Sequence, residues 1–291
     1  MKLVTFTQGG KTRIGAVVGE DIVDFSADGN TLPGDMLGFL EQGQAAMSQA
    51  QALCTAGRGR IALASAKLEA PIRRPPKILA VGLNYRDHVE ETGLPLPKVQ
   101  MIFNKQATSV CGPGDGIHRP KDSDHLDYEG ELGIVIGKRC RRVPKDKAAQ
   151  VIAGYTIIND VSVRDWQMRS ATTTMGKSWD THCPMGPYIV TTDEVTDPHI
   201  LDLKTWVNGE LRQNSNTKNL IFNCFDIIEH LSTAFSLEPG DVIATGTPSG
   251  VILGMDPKIW LKPGDVVRIA IDKLGVLENP GIAEPQSTVQ Y

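Results

Sequence analysis

Apolar and polar positions alternate through residues 1–26, in KLVTFTQGG and KTRIGAVVGEDIVDF, on either side of the Gly9-Gly10 pair. A period of two broken by paired glycines predicts a β-meander. Residues 33–66 lose that alternation and become rich in Ala, Gln, Met and Leu, which predicts one or two short helices. APIRRPPKI (70–78) then sets three prolines in nine residues, which breaks helix and ladder alike. The boundary falls there, between a small N-terminal β/α domain (1–72) and a larger domain (73–291). In the larger part, ILAVGLNY (78–85) reads as a buried strand and RDHVEETG as a short helical turn ended by Gly93. Residues 101–120 supply a short strand and a Gly/Pro-rich loop. Leu132, Ile134, Val135 and Ile136 form an apolar strand, PKDKAAQVIAG (144–154) a helix, and YTIIND a strand ending at Asp160. WVNGEL carries an Asn208-Gly209 hairpin signal. In residues 220–235, Ile221, Phe225, Ile228, Leu231 and Phe235 lie on one helical stripe. Two PGD turns each lead into a strand, and the tail from Asn279 is extended without a periodic pattern. The pattern is α+β and strand-rich.

The stretch HLDYEGELGIVIG (125–137) carries the candidate chemistry. Glu129 and Glu131 stand two positions apart at the start of the apolar strand, so both project from one face, with Gly130 between them. Like charges that close raise each other's pKa unless a cation lies between them, which points to a divalent ion with oxygen ligands. An acidic pair on a wet strand face is the plainer alternative. Asp160, at the end of another strand, is a third oxygen donor. Asp122, Asp124, His125 and Asp127 include residue types that can ligate a metal, but they lie in a loop and read as solvated or turn-forming. His88 and Glu91 are neighbours on one helical face, either a carboxylate-oriented base or a surface ion pair. Lys177 stands alone in the loop GKSWDTHCPMGP. Adjacent His182 and Cys183 lack a third group that would support a thiol nucleophile.

Composition narrows the classes. The 291 residues are 41% hydrophobic and 22% charged, with a formal net charge of −4, which gives no nucleic acid or anionic membrane a reason to bind. KRCRR at 138–142 reads as a solvated strand end. No apolar run reaches the roughly 20 residues of a membrane span, and the N-terminus has no signal-peptide core. Five scattered cysteines without a CxxC read as free thiols in a reducing cytoplasm.

Taken together, AVGLNYRDHVEE, DYEGELGIVIG, NDVSVRD, GKSWDTHCPMGP and EPGDVIATGTPSGV resemble the fumarylacetoacetate hydrolase family. They occur in the family's order over roughly residues 74–280. The first 70 or so residues resemble the small N-terminal domain of longer bacterial members. The resemblance implies a mixed β-sheet roll, a homodimer, and a small-molecule 2-oxo acid substrate. It implies that Glu129, Glu131 and Asp160 hold Mg²⁺ or Mn²⁺, sometimes Ca²⁺. His88 and Glu91 match a water-activating dyad on a mobile lid, and Lys177 matches an active-site lysine. Gln167 and Thr247, with Thr245 as a nearby alternative, match groups that hold the keto-acid end. The implied activity is a metal-dependent hydrolase or decarboxylase that cleaves a C–C bond through an enolate, in acylpyruvate hydrolysis and oxaloacetate decarboxylation. Isomerases or lyases of related acids are the alternative within the family (homoprotocatechuate-pathway intermediates, diketo-deoxy sugar acids, ureidoglycolate). Outside it stands a non-catalytic metal- or ligand-binding module, which the joint presence of base, lysine and three ligands argues against.

Overall fold

The computed structural model describes residues 1–29 and 31–286. One large mixed sheet organises the chain. Its strands follow the order Arg60–Ala62, Asp21–Asp24, Lys11–Val18, Lys2–Gln8, Cys183–Thr191, Ile152–Asn159, Gly130–Ile136, Val242–Ala244, Ile78–Gly82 and Met101–Lys105. The predicted meander is its first portion, and Leu3 pairs with Ile189 across the join. A second sheet stacks against the centre, in the order Glu210–Asn216, Asp202–Val207, Val266–Ile271, Gly275–Ala283 and Ile117–Arg119.

The strand Gly130–Ile136 is buried along its whole length, because both of its faces are covered. Leu132, Ile134 and Ile136 enter the core between the two sheets. Val135 points the other way, into a core shared with Phe39, Leu40, Ala46 and Ala50 of the N-terminal helices. Burial on both faces explains why the strand reads as a continuous apolar run. Each such side chain stabilises the fold by roughly 1.5–3 kcal/mol relative to exposure. Gly130 has a purpose other than separating the carboxylates. A Cβ there would lie 2.4 Å from the Thr205 hydroxyl of the second sheet, so the bare position lets the sheets approach.

Helices Met36–Glu41 and Gln44–Ala56 occupy the stretch predicted to be helical. Asn208 and Gly209 both take positive φ (51° and 83°), as a type I′ hairpin turn requires. Two expectations need correction. Residues 145–151 form a 3₁₀ segment, not an α-helix, since Ile152–Asn159 is drawn into the central sheet and leaves the helical signal too few residues. The helix over 220–235 is confined to Cys224–Ala234 and buries Cys224, Ile227, Ile228 and Leu231. Asn223 and Asp226 form a capping box that fixes its start, placing Ile221 outside. The tail from Asn279 to Ala283 completes a strand, and residues 287–291 lie outside the described residues. Among the described residues, no helix is long and apolar enough to cross a membrane.

Candidate metal centre

Pairing within the large sheet brings the three predicted ligands together. Gly130 pairs with Asn159 and Glu131 with Ile158, so Asp160 arrives opposite Glu129 and donates its N–H to the Glu129 carbonyl at 2.9 Å. Asn159 Oδ1 accepts the Glu129 N–H at 3.0 Å and pins the same corner. The carboxylates of Glu129, Glu131 and Asp160 are buried, each placing an oxygen within 4.8 Å of the others. This donor set of hard oxygens, without thiol or imidazole, suits Mg²⁺, Mn²⁺ or Ca²⁺.

Among the described residues, three cations meet these carboxylates. Lys177 Nζ lies 2.6 Å from Glu129 Oε2 and 2.8 Å from Asp160 Oδ2. Lys105 Nζ lies 2.6 Å from Asp160 Oδ1. Arg164 Nη2 lies 2.7 Å from Glu129 Oε1 and 2.7 Å from Asp127 Oδ2. Burial would raise the Glu129 carboxyl, but Lys177 and Arg164 outweigh it and hold it at about 2. Among the described residues, Glu131 has no such partner in hydrogen-bond contact. Burial, then repulsion by Asp160 and Glu129, push its carboxyl well above the usual range, against Lys177 and the Gly246 N–H. That uncompensated carboxyl is what a divalent cation would relieve, so the residues present fit the ion. Burial lowers Lys177, yet Asp160 and Glu129 more than reverse it and raise its pKa.

His88 is buried, and its Nδ1 lies 3.2 Å from Glu91 Oε2. The predicted helix runs Arg86–Thr92 and ends at Gly93 in the left-handed region (φ 66°). It docks on the loop after Val242–Ala244, where the Gly250 N–H donates to Glu91 Oε1 at 2.9 Å. Gly254 makes room for the same carboxylate, since a Cβ there would meet Glu91 Cδ at 2.5 Å. His88 contributes to lowering the Glu129 carboxyl, which ties the dyad to the carboxylate cluster.

Thr247 donates to the Gly130 carbonyl at 3.0 Å and accepts from Gln213 Nε2 at 2.8 Å, beside the ligand strand. Thr245 spends its hydroxyl on the Leu132 carbonyl as a strand contact. Gln167 reaches the centre through Arg164, whose Nη1 donates to its Oε1 at 2.8 Å. A cavity of about 600 Å³ lined by Leu40, Met47, Ile152 and Thr191 contains none of these residues.

Asp127 is not solvated as expected. It is fully buried in a two-residue strand with Leu126, accepting from Arg164 Nε and from the Ile252 and Leu253 N–H groups. Lys105 and Arg164 carry no motif that names them in the sequence, and Asp127 reads there only as a loop acid. The available signals were a lysine closing an apolar strand, and an Asp127–Glu129–Glu131 alternation that extends the acidic pair by one step.

Cys183 is buried and burial pushes its thiol up to about 12, which removes it as a nucleophile. Its neighbour His182 is fully buried, with Nε2 2.8 Å from the His118 carbonyl. Burial pulls its imidazole down to about 3, opposed by that hydrogen bond and aided by the charges of Lys105 and His118. The unfolded chain takes up a proton below pH 6.5, whereas the fold resists it until about 3. Stability from this group is therefore complete above pH 6.5 and falls with decreasing pH, by about 2 kcal/mol at pH 5. Thermal melts at pH 7.5 and 5 should show this loss in the wild type and lack it in His182→Gln. Identical pH dependence in the two proteins would assign the loss to other groups.

Residues 77–280 match the sequence profile described as fumarylacetoacetate (FAA) hydrolase, C-terminal. Over 286 residues the chain is 42% identical to a Xenopus laevis protein named oxaloacetate tautomerase fahd2, mitochondrial, covering 96% of this chain and 90% of that one. The solved fumarylacetoacetate hydrolase of the psychrophile Exiguobacterium antarcticum matches at 37% identity and a TM-score of 0.86, over 98% of this chain and 100% of that one. Maleylpyruvate hydrolase from Sphingobium sp. SYK-6, in complex with manganese(II) and pyruvate, matches at 34% identity and a TM-score of 0.80, with coverage of 98% and 100%.

Proposed function

The chain belongs to the fumarylacetoacetate hydrolase family, and from that premise we propose a divalent-metal-dependent enzyme of small 2-oxo acids that hydrolyses acylpyruvates and decarboxylates oxaloacetate. The observation that carries this reading is the buried Glu129–Glu131–Asp160 cluster with Lys177 bridging two of its carboxylates. These three residues would hold Mg²⁺ or Mn²⁺, with Ca²⁺ as a further option, and the ion would supply Lewis-acid stabilisation to negative charge on the substrate's oxygens.

The protein's own groups divide the remaining work. Lys177 brings positive charge to the enolate and is placed to return a proton to carbon. His88, steadied by Glu91, takes a proton from the water that attacks the distal carbonyl of a diketo acid. Oxaloacetate needs no water, because loss of CO₂ leaves the same enolate. Thr247 and the Arg164-held Gln167 orient the keto-acid end.

A second reading is favoured by one observation, the name of the Xenopus laevis relative. Keto–enol tautomerisation of oxaloacetate passes through an enolate that keeps both carboxylates and asks only for proton transfer, with Lys177 and His88 as the carriers. Assays with added Mn²⁺, over acylpyruvates and oxaloacetate, separate the two. Pyruvate release above the protein-free rate supports cleavage. Faster decay of the oxaloacetate enol without extra pyruvate would replace it by tautomerisation. A homodimer in a reducing cytoplasm belongs to the same proposal, motivated by the family and five free thiols. In sedimentation, the same preparation should run at twice the 31.5 kDa chain mass.

A further inference from the structure

We infer that Lys105 is a positioning residue that makes the centre select a small divalent ion, by allowing Asp160 only one donor oxygen. The inference rests on the reading that the three carboxylates hold a divalent ion.

The argument begins with the oxygens. Each carboxylate has one oxygen engaged by the surrounding frame. Glu129 Oε1 faces Arg164 Nη2 at 2.7 Å, Asp160 Oδ1 faces Lys105 Nζ at 2.6 Å, and Glu131 Oε2 accepts the Gly246 N–H at 2.7 Å. The second oxygens of Glu129 and Asp160 both turn to the shared space, where Lys177 Nζ meets them. Lys105 is the firmest of these holds. Its side chain is fully buried at the end of strand Met101–Lys105, and its ammonium also donates to the carbonyls of Val161 and Lys177. All three of its N–H groups are thereby used, so it cannot turn from Asp160 without stranding two buried carbonyls. The bond to the Lys177 carbonyl also fixes the segment that delivers the bridging lysine.

A set giving one oxygen per carboxylate suits an ion that takes six ligands at short, nearly octahedral positions. Ca²⁺ takes six to eight oxygens and gains from carboxylates that chelate through both. Holding Asp160 Oδ1 on Lys105 withholds that second oxygen. The plainer role, a countercharge for a buried carboxylate, acts equally on any divalent ion, because it depends on charge alone. The ratio of two affinities therefore separates the roles where a single affinity does not.

The test is isothermal titration of the full-length protein with Mg²⁺ and with Ca²⁺, for wild type and Lys105→Met, with circular dichroism to verify the fold. The expected result is a shift of the Ca²⁺:Mg²⁺ affinity ratio toward Ca²⁺ by about tenfold or more, the scale on which outer partners of metal ligands act. Parallel changes in both affinities, with the ratio held within about threefold, overturn the inference and leave Lys105 a countercharge. If Lys105→Met does not fold, a crystal structure of the wild type grown with Mn²⁺ decides. Asp160 Oδ1 still on Lys105 supports the inference, and both Asp160 oxygens on the ion overturn it. A folded wild type that binds neither Mg²⁺ nor Ca²⁺ is a different failure, since it removes the metal reading on which the inference stands.

Discussion

Glu131→Gln is expected to cut turnover of 2-oxo acids by about 10³-fold or more, the effect of losing several kcal/mol of charge stabilisation. Glu129→Gln and Asp160→Asn should fall in the same range. Glu131 is the most informative of the three because, among the described residues, no cation contacts its carboxyl as one does for Glu129 and Asp160. In the protein alone, burial and two neighbouring carboxylates work against its ionised form, so its charge serves a divalent cation and little else. Neutralising it should spare the fold, since the change removes a like-charge repulsion and keeps the shape. Circular dichroism and melting temperature of Glu131→Gln without metal should therefore match or exceed wild type. Added Mn²⁺ should raise the wild-type melting temperature, by up to about 2.7 kcal/mol of stability at a hundredfold excess over Kd, and should raise the variant's much less. Full wild-type activity after chelation and dialysis would remove the whole scheme.

His88→Ala should divide the two reactions. Acylpyruvate hydrolysis should fall by about 10² to 10⁴-fold, the usual range for a lost general base. Oxaloacetate decarboxylation should fall far less, because it needs the enolate held but no attacking water. Lys177→Ala should damage both, since Lys177 Nζ lies within 2.8 Å of two of the carboxylates around which the enolate would form. Initial rates of both reactions at saturating Mn²⁺, in wild type and the two variants, measure this directly. The Gly250 N–H and the space left by Gly254 hold Glu91 independently of the histidine, so the helix should remain docked in His88→Ala. Equal losses in both reactions would assign the histidine to substrate placement instead of water activation.

The chain's local patterns determined a good part of this protein. Period-two alternation, an Asn-Gly turn and a short apolar run are properties of neighbouring residues, so the meander, the Asn208-Gly209 hairpin and the buried strand at 130–136 could be read without knowing their partners. The same-face placement of Glu129 and Glu131 follows from strand geometry alone. The short helix bearing His88 and Glu91 is marked by its spacing and by the closing glycine. The helical signals in 144–154 and 220–235 extend beyond the helical segments for one reason. Competing demands came from elsewhere in the chain, the central sheet claiming Ile152 onward and the Asn223–Asp226 capping box setting the later start.

What only the tertiary structure decided was which distant groups share one small volume. Asp160 faces Glu129 through antiparallel register, a relation between strands that neither strand encodes alone. Lys105, 55 positions before Asp160, reaches it from the far edge of the sheet. Asp127 looked like a loop acid, yet it is buried because Arg164 and two backbone N–H groups converge on it. Burial of a charge depends on its partners, and those partners come from segments that meet only when the sheets stack. Local sequence could therefore name the carboxylates and Lys177, but the groups that engage one oxygen of each carboxylate from the surrounding frame, Arg164, Lys105 and the Gly246 N–H, became visible only in the fold.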